Sequence, residues 1–254
     1  MASHSQVILS DLEPSPLGTK QYWDDLYSKE IKNFEQNDRD EGTIWFDDSA
    51  AEEKVLEFIE DFVIDSRALG SNINRDNCSF LDLGTGNGHL LFSLRAGDDR
   101  FEGWGGRMLG VDYSEKSIEF AKRIAQGRNL REVEFCRWDV MHDKAAGVVL
   151  DGISAEGWDV VLDKGTFDAI SLSADQGPRG QRNYKDYRTQ VLPLIREGGV
   201  LLITSCNWTE DELKLLLDGP GLAVVTTIKY DNFSFGGKKG QTVSSVCFRK
   251  TCSP

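Results

Sequence analysis

The stretch that begins at Cys78 restricts the chain to one broad architecture. Four short apolar runs, CSFLDLG, RMLGVD, EVEFCRW and WDVVLDKG, follow one another, and GGVLLITSC comes after a longer interval. The first runs are separated by stretches with helical periodicity, over residues 88–96 and 114–127. Strands joined by helix-length crossovers lie parallel in one sheet. A long loop is expected after the fourth strand, then a helix over 184–196, and a further helix from Thr209 with Glu212 at the capping-box position. The rhythm then breaks. Residues 222–230 (LAVVTTIKY) and 241–249 (QTVSSVCFR) both read as strands, and the segment DNFSFGGKKG between them is too short for a helical crossover. Those two strands are therefore expected to pair antiparallel. The expected fold class is α/β: a Rossmann-like, seven-stranded, mostly parallel sheet with a C-terminal antiparallel hairpin and helices on both faces. Nicotinamide-type Rossmann domains usually lack this ending.

Ahead of the sheet, residues 1–18 are polar and broken by Pro14, Pro16 and Gly18, which reads as a disordered N-terminus. Thr19 can cap a helix over 19–35, in which Tyr22, Trp23, Leu26, Tyr27, Ile31 and Phe34 recur at helical spacing. A second helix is expected from Ser49, with Glu52 completing a capping box. The organisation expected is a single domain over 19–254, with a helical extension at 19–77 and the seven-stranded core at 78–250.

Totals remove several function classes. A net charge of −13 over 254 residues disfavours nucleic acid as a partner, because phosphates are bound by Lys and Arg. No apolar run is long enough to cross a membrane, and the start does not read as a signal peptide. The five cysteines include no C-x-x-C pair, which suits a reducing, cytoplasmic setting, and the three histidines are too scattered to suggest a metal site. Residues 28–65 hold 13 acidic and 4 basic side chains. That surface either is simply solvated or attracts a basic partner.

The segment LDLGTGNGHLLFSL lies at a strand-to-helix junction, where Gly84, Gly86 and Gly88 permit a sharp turn and close approach of a ligand to the backbone. Dinucleotide, nucleotide and methyl-donor sites share such a turn. Asp112 ends the second strand, where an acid accepts hydrogen bonds from ribose hydroxyls or caps the following helix. Asp139 follows the third, where a carboxylate can accept the amino proton of adenine while the Val140 N–H meets a ring nitrogen, or can simply form a strand-end turn. Asp82 is an acid inside an apolar strand, an unusual placement that suits fixing the glycine turn or facing an amino group.

In order, DLGTGNG, VDYS, RWDV and LDKGTFDAI resemble the motifs of class I, seven-β-strand methyltransferases. With YWDDLY and IWF ahead of them, the resemblance narrows to the lysine methyltransferases of translation elongation factor 1-alpha, the elongation-factor methyltransferase 4 (lysine methyltransferase 2) group. It covers about residues 20–250. It implies S-adenosyl-L-methionine as cofactor and elongation factor 1-alpha as protein substrate; separately, a monomer is expected. It also implies that Trp45, with Phe46, closes over a cofactor held by Gly84, Asp112, Tyr113, Asp139 and Val140; Asn87, in the glycine turn, is a further candidate contact. The distance from Gly84 to Asp112 is longer than usual, which fits an inserted loop over 96–107.

Methyl transfer is an in-line displacement that needs mainly positioning, and a lysine amine must be neutral when it attacks. Asp163, at the end of the fourth strand, is the expected catalytic and cofactor-facing acid, orienting the amine; otherwise it anchors the loop. Lys164 suits a salt bridge or backbone support. No Asn/Asp-Pro-Pro-Tyr/Phe clamp follows this strand, which disfavours planar amide and base nitrogens as acceptors. Residues 171–188, with Tyr184 and Tyr187, and Asn207-Trp208 are expected to shape the substrate channel. Phe233, Phe235, Lys238 and Lys239 are candidates for contacting a protein substrate. A small-molecule methyltransferase, a Rossmann-type NAD oxidoreductase and a catalytically silent binding module remain the competing readings.

Overall fold

The computed structural model describes residues 9–251 apart from 178, 231–232, 236–237 and 241, and side chains outside 231–241. Its centre is β1 (Phe80–Leu83), four residues that are all buried. Around it stand β2 (Met108–Asp112), β3 (Glu134–Arg137), β4 (Trp158–Lys164), β5 (Ile195–Ser205), β6 (Leu222–Ile228) and β9 (Ser244–Lys250), in the order β3-β2-β1-β4-β5-β9-β6. The first five strands are mutually parallel, and β9 runs antiparallel to both β5 and β6. The expected seven-stranded sheet with an antiparallel ending is the fold observed. The link between β6 and β9 adds a small separate ladder of β7 (Phe233–Phe235) and β8 (Lys238–Gly240).

Side-chain alternation along the strands divides the core in two. Phe80, Met108, Val160, Leu162, Val200 and Leu202 face one layer, covered by α1 (Lys20–Gln36), α2 (Ala51–Ile59), α3 (His89–Ala96) and α4 (Glu115–Gly127). Leu81, Leu83, Leu109, Val111, Val161, Leu201 and Ile203 face the other, covered by α5 (Thr166–Leu172), α6 (Tyr187–Val191) and α7 (Glu210–Leu217). Thr19 caps α1 through the Tyr22 N–H, and Thr209 with Glu212 forms the anticipated capping box on α7.

Several local expectations are corrected. α2 starts at Ala51 behind a left-handed Ala50, with no side-chain cap, so Ser49 and Glu52 form no capping box. Glu52 is drawn instead into a buried polar cluster. Where a long loop was expected after β4, the two-turn α5 begins immediately from a left-handed Gly165. The helix expected over 184–196 is only Tyr187–Val191 between two 3-10 turns, because Pro193 lacks the N–H that a continuing helix needs. Residues 9–18 are not free: Ser15 N–H donates to the Leu172 carbonyl at 3.1 Å, Tyr184 Oη donates to Asp11 at 2.7 Å, and Leu9 and Leu12 pack against the second core layer.

The inserted segment 96–107 is folded in, not extruded. Trp104 is buried edge-on to Phe80 at 5.2 Å, and the Arg75 guanidinium stacks over its other side at 5.1 Å. Trp104→Ala is expected to cost about 3–5 kcal/mol, as for other buried aromatic truncations. Urea unfolding checks this: the midpoint falls while the slope stays near wild type.

Candidate active site

The turns that leave β1, β2, β3, β4 and β5 at their carboxyl ends surround a cavity of about 500 Å³. Parallel register sets this up: Leu83 pairs with Val111 on one side and with Asp163 on the other, so the three central strands end level. The β1 turn crosses the floor. Gly84 has φ +64°, and a Cβ there would lie 2.0 Å from Thr166 Oγ1, which itself donates to the Leu83 carbonyl at 2.6 Å. Only glycine permits that contact between the β1 and β4 turns. Gly88 also has φ +82°, but its missing Cβ makes room for Phe135 and Phe92. It serves packing and is absent from the cavity wall, contrary to the sequence expectation.

Of the expected cofactor-contacting residues, Trp45, Asp82, Gly84, Gly86, Asn87, Asp112, Tyr113, Asp139 and Val140 all line this one cavity. Asp112 Oδ2 accepts from Gly86 N–H at 3.2 Å and Ser117 Oγ at 2.8 Å, and Oδ1 accepts from Ser114 N–H at 2.9 Å. It thus ties the glycine turn to the start of α4, whose side-chain cap is Ser114. Burial raises its carboxyl above the ordinary range. Asp139 accepts from Met141 N–H at 2.9 Å and faces His142 Nδ1 at 3.0 Å, a local turn that still presents the residue to the cavity. Asp82 is buried against the floor, which pushes its carboxyl up to about 7 although Thr85 and the charge of Lys164 pull it down.

The opposite wall comes from the N-terminal extension, a contribution the sequence only hinted at through Trp45. Leu17, Gly18, Thr19, Trp23 and Tyr27 join Thr43–Phe46 there. Trp45 packs edge-on to Trp23 at 5.2 Å, and Trp23 stacks on Tyr27 at 6.2 Å. Lys164 Nζ donates to the Trp45 carbonyl at 3.0 Å, which fastens this wall to the tip of β4. Glu52, on α2, reaches the same place. Its Oε1 meets His89 Nδ1 at 2.6 Å and accepts from Ser93 Oγ at 3.0 Å. Burial alone would raise the Glu52 carboxyl, but His89 and Lys164 outweigh it and hold the group below its usual range.

Asp163 is not brought into the cavity. Strand parity explains this: Asp163 shares a face with Val161 and points into the second core layer, whereas Lys164 shares a face with Leu162. The Asp163 carboxylate accepts N–H donors from Thr166 (2.9 Å) and Phe167 (3.1 Å) and a short hydrogen bond from Tyr187 Oη. It clamps the β4–α5 turn and has no face toward a substrate. Tyr187 and Tyr184 are likewise buried and off the wall, as is Trp208, while Asn207 is on it. The acid that α5 does bring to the wall is Asp168, held by Ser205 Oγ and by Cys206 N–H at 2.8 Å, with its carboxyl raised by burial. It was legible as the second acid of DKGTFD once α5 was recognised as a helix. The side chains of Phe233, Phe235, Lys238 and Lys239 lie outside the described residues.

A methyltransferase domain family matches residues 74–240. The protein-lysine N-methyltransferase EFM4 of Saccharomyces cerevisiae is 41% identical over 95% of this chain and 97% of its own length. EEF1A lysine methyltransferase 2 of Danio rerio is 33% identical over 95% of this chain and 91% of its own. The chain belongs to this family of protein-lysine N-methyltransferases. Its fold agrees with that of a TehB-like SAM-dependent methyltransferase from Corynebacterium glutamicum, at 17% identity and a TM-score of 0.53, covering 90% of this chain and 98% of that one. S-adenosylmethionine is the cofactor of this methyltransferase. The cavity fits it: a glycine-floored turn, acids at the tips of β2 and β3, aromatic walls, and a buried polar cluster at the far end. The NAD reading of the glycine turn is thereby set aside.

The clamp acid has a pH signature. Burial, opposed chiefly by the Tyr187 hydrogen bond, raises the Asp163 carboxyl to about 7, against about 3.9 in the unfolded chain. Between those values the folded state holds a proton that the unfolded state has released. Stability from this group is therefore complete below about pH 4 and lost as pH rises through about 7. Asp163→Asn, which stays neutral, is expected to gain on wild type by about 1 kcal/mol per pH unit between pH 5 and 7. Paired urea titrations across that range measure the difference; parallel pH profiles would contradict it.

Proposed function

We propose that this enzyme transfers a methyl group from S-adenosylmethionine to the ε-amine of a lysine in translation elongation factor 1-alpha. One observation carries the substrate assignment. The relatives whose names specify EEF1A match nearly the whole chain, including the N-terminal extension that lies ahead of the methyltransferase domain match and builds one wall of the cavity. We also take 19–254 to act as one catalytic unit, since the N-terminal extension and the sheet both line the cavity, and we take that unit to be a monomer. A cytoplasmic location is supported by Cys78, Cys136, Cys206 and Cys247, all free thiols.

When bound, the cofactor supplies an electrophilic methyl on a sulfonium; a C–N bond forms as the C–S bond breaks. The chain supplies position. Trp45, Asp82, Gly84, Gly86, Asn87, Asp112, Tyr113, Asp139 and Val140 are the proposed cofactor contacts. The wall left over is at the tips of β4 and β5, where Asp168, Cys206 and Asn207 stand together. In this reading Asp168 takes the part first expected of Asp163: its carboxylate accepts a hydrogen bond from the amine and aims the nitrogen lone pair. The surplus proton leaves to water before attack, since a cationic amine has no lone pair to offer. Exposed acids beside the extension, among them Asp47 and Asp48, steer a basic partner toward the cavity.

The test is labelled methyl donor added to a cytosolic extract from cells lacking this enzyme. A labelled band at the mass of the elongation factor is expected, whereas label confined to small molecules would overturn the substrate. With purified factor, Asp168→Asn is expected to lower kcat about 10- to 100-fold, the range of one lost positioning contact. Calorimetric affinity for S-adenosylhomocysteine should stay near wild type; a matching loss there would remove Asp168 from the substrate side.

A further inference from the structure

The mechanism leaves one buried cation and one buried anion unused, side by side on the cavity wall. Lys164 and Glu52 have side chains only 13% and 10% exposed, with Nζ and Oε2 3.7 Å apart. An ammonium carries three donors, and Lys164 directs one to the Trp45 carbonyl. Glu52 satisfies Oε1 twice, but Oε2 is buried with no hydrogen-bond partner. Buried polar atoms seldom stay unpaired, so such a pair marks a place where a ligand completes the bonding. The other basic side chains on the wall are committed elsewhere. Lys20 is 45% exposed and pairs with Asp24 at 2.6 Å, His89 is held by Glu52, and His142 faces Asp139. The adenosine end, at Asp112, Tyr113 and Asp139, offers no buried cation.

We propose that Lys164 and Glu52 seat the amino-acid end of the methyl donor, Lys164 binding its α-carboxylate and Glu52 Oε2 its α-ammonium. Resting on S-adenosylmethionine as cofactor, this assigns specificity for the donor's zwitterionic tail to α2 and the β4 tip. Because Lys164 also holds the Trp45 carbonyl, the same side chain joins the occupied tail to the aromatic wall.

The two roles of Lys164 separate by ligand. Calorimetry compares S-adenosylhomocysteine with 5′-methylthioadenosine, which has the nucleoside and sulfur but no amino-acid tail. Lys164→Met is expected to weaken S-adenosylhomocysteine about 10- to 100-fold, as for a lost charge-assisted hydrogen bond, while methylthioadenosine changes by less than about 3-fold. Equal losses for both ligands would mean that Lys164 only supports the Trp45 wall and would overturn the proposal. A second arm needs no variant: on the wild-type protein, decarboxylated S-adenosylmethionine is expected to bind at least about 10-fold more weakly than S-adenosylmethionine. Equal affinity there would also overturn it. Wild-type protein that binds neither S-adenosylhomocysteine nor methylthioadenosine would instead reject the donor itself, and this proposal with it.

Discussion

Parallel registration of β1 between β2 and β4 is the constraint on which the remaining structure rests. Phe80, Leu81, Asp82 and Leu83 each pair with a partner on both sides, so three strand ends finish at one height. That common edge brings the glycine turn, Asp112 and Lys164 around one space. A slip of one residue would turn every β1 side chain to the opposite layer, exchanging Asp82 with Leu83. The hydrophobic layers forbid that slip, because both faces of β1 are fully buried and differ in what covers them.

Much of this architecture was legible in the sequence because its signals are local. Apolar runs bounded by glycine specify strands, and the short DNFSFGGKKG link permits only an antiparallel ending. The capping box at Thr209 and Glu212 is readable from four residues. What escaped depended on direction. The motif LDKGTFDAI announces acids near the donor, but strand parity decides which one faces inward, and it turns Asp163 away and Lys164 toward the cavity. Asp168 follows only if the short α5 is seen. Ser49 and Glu52 match a capping pattern, yet Glu52 finds stronger partners in His89 and Ser93, supplied by a segment 37 residues or more along the chain. Tertiary hydrogen bonding there outweighs the local cap.

The N-terminal extension shows how a common sheet acquires an individual pocket. Its aromatic residues Tyr27, Trp23 and Trp45 contact one another in series, and polar bonds hold the middle ring and the chain leading to Trp45. Trp23 Nε1 donates to the Leu17 carbonyl at 2.8 Å, and Asn87 Nδ2 donates to the Glu41 carbonyl at 2.8 Å. Flat rings give large contact area for little lost rotamer freedom. The wall is therefore firm, though built from chain that precedes the sheet.

The placement of β9 bears on how the chain reaches its native state during translation. This strand arrives after β6 in sequence yet lies between β5 and β6, so β6 reaches the sheet solely through it. Its Ser245 also shares a buried hydroxyl contact with Thr204, 2.6 Å away near the tip of β5. Until residues 244–250 emerge from the ribosome, the open edge of β5 is an unpaired template for foreign strands. A nascent molecule thus waits for residues 244–250 before the cavity rim at Ser205 and Cys206 can settle, and shielding of that edge by chaperones would matter most in this interval.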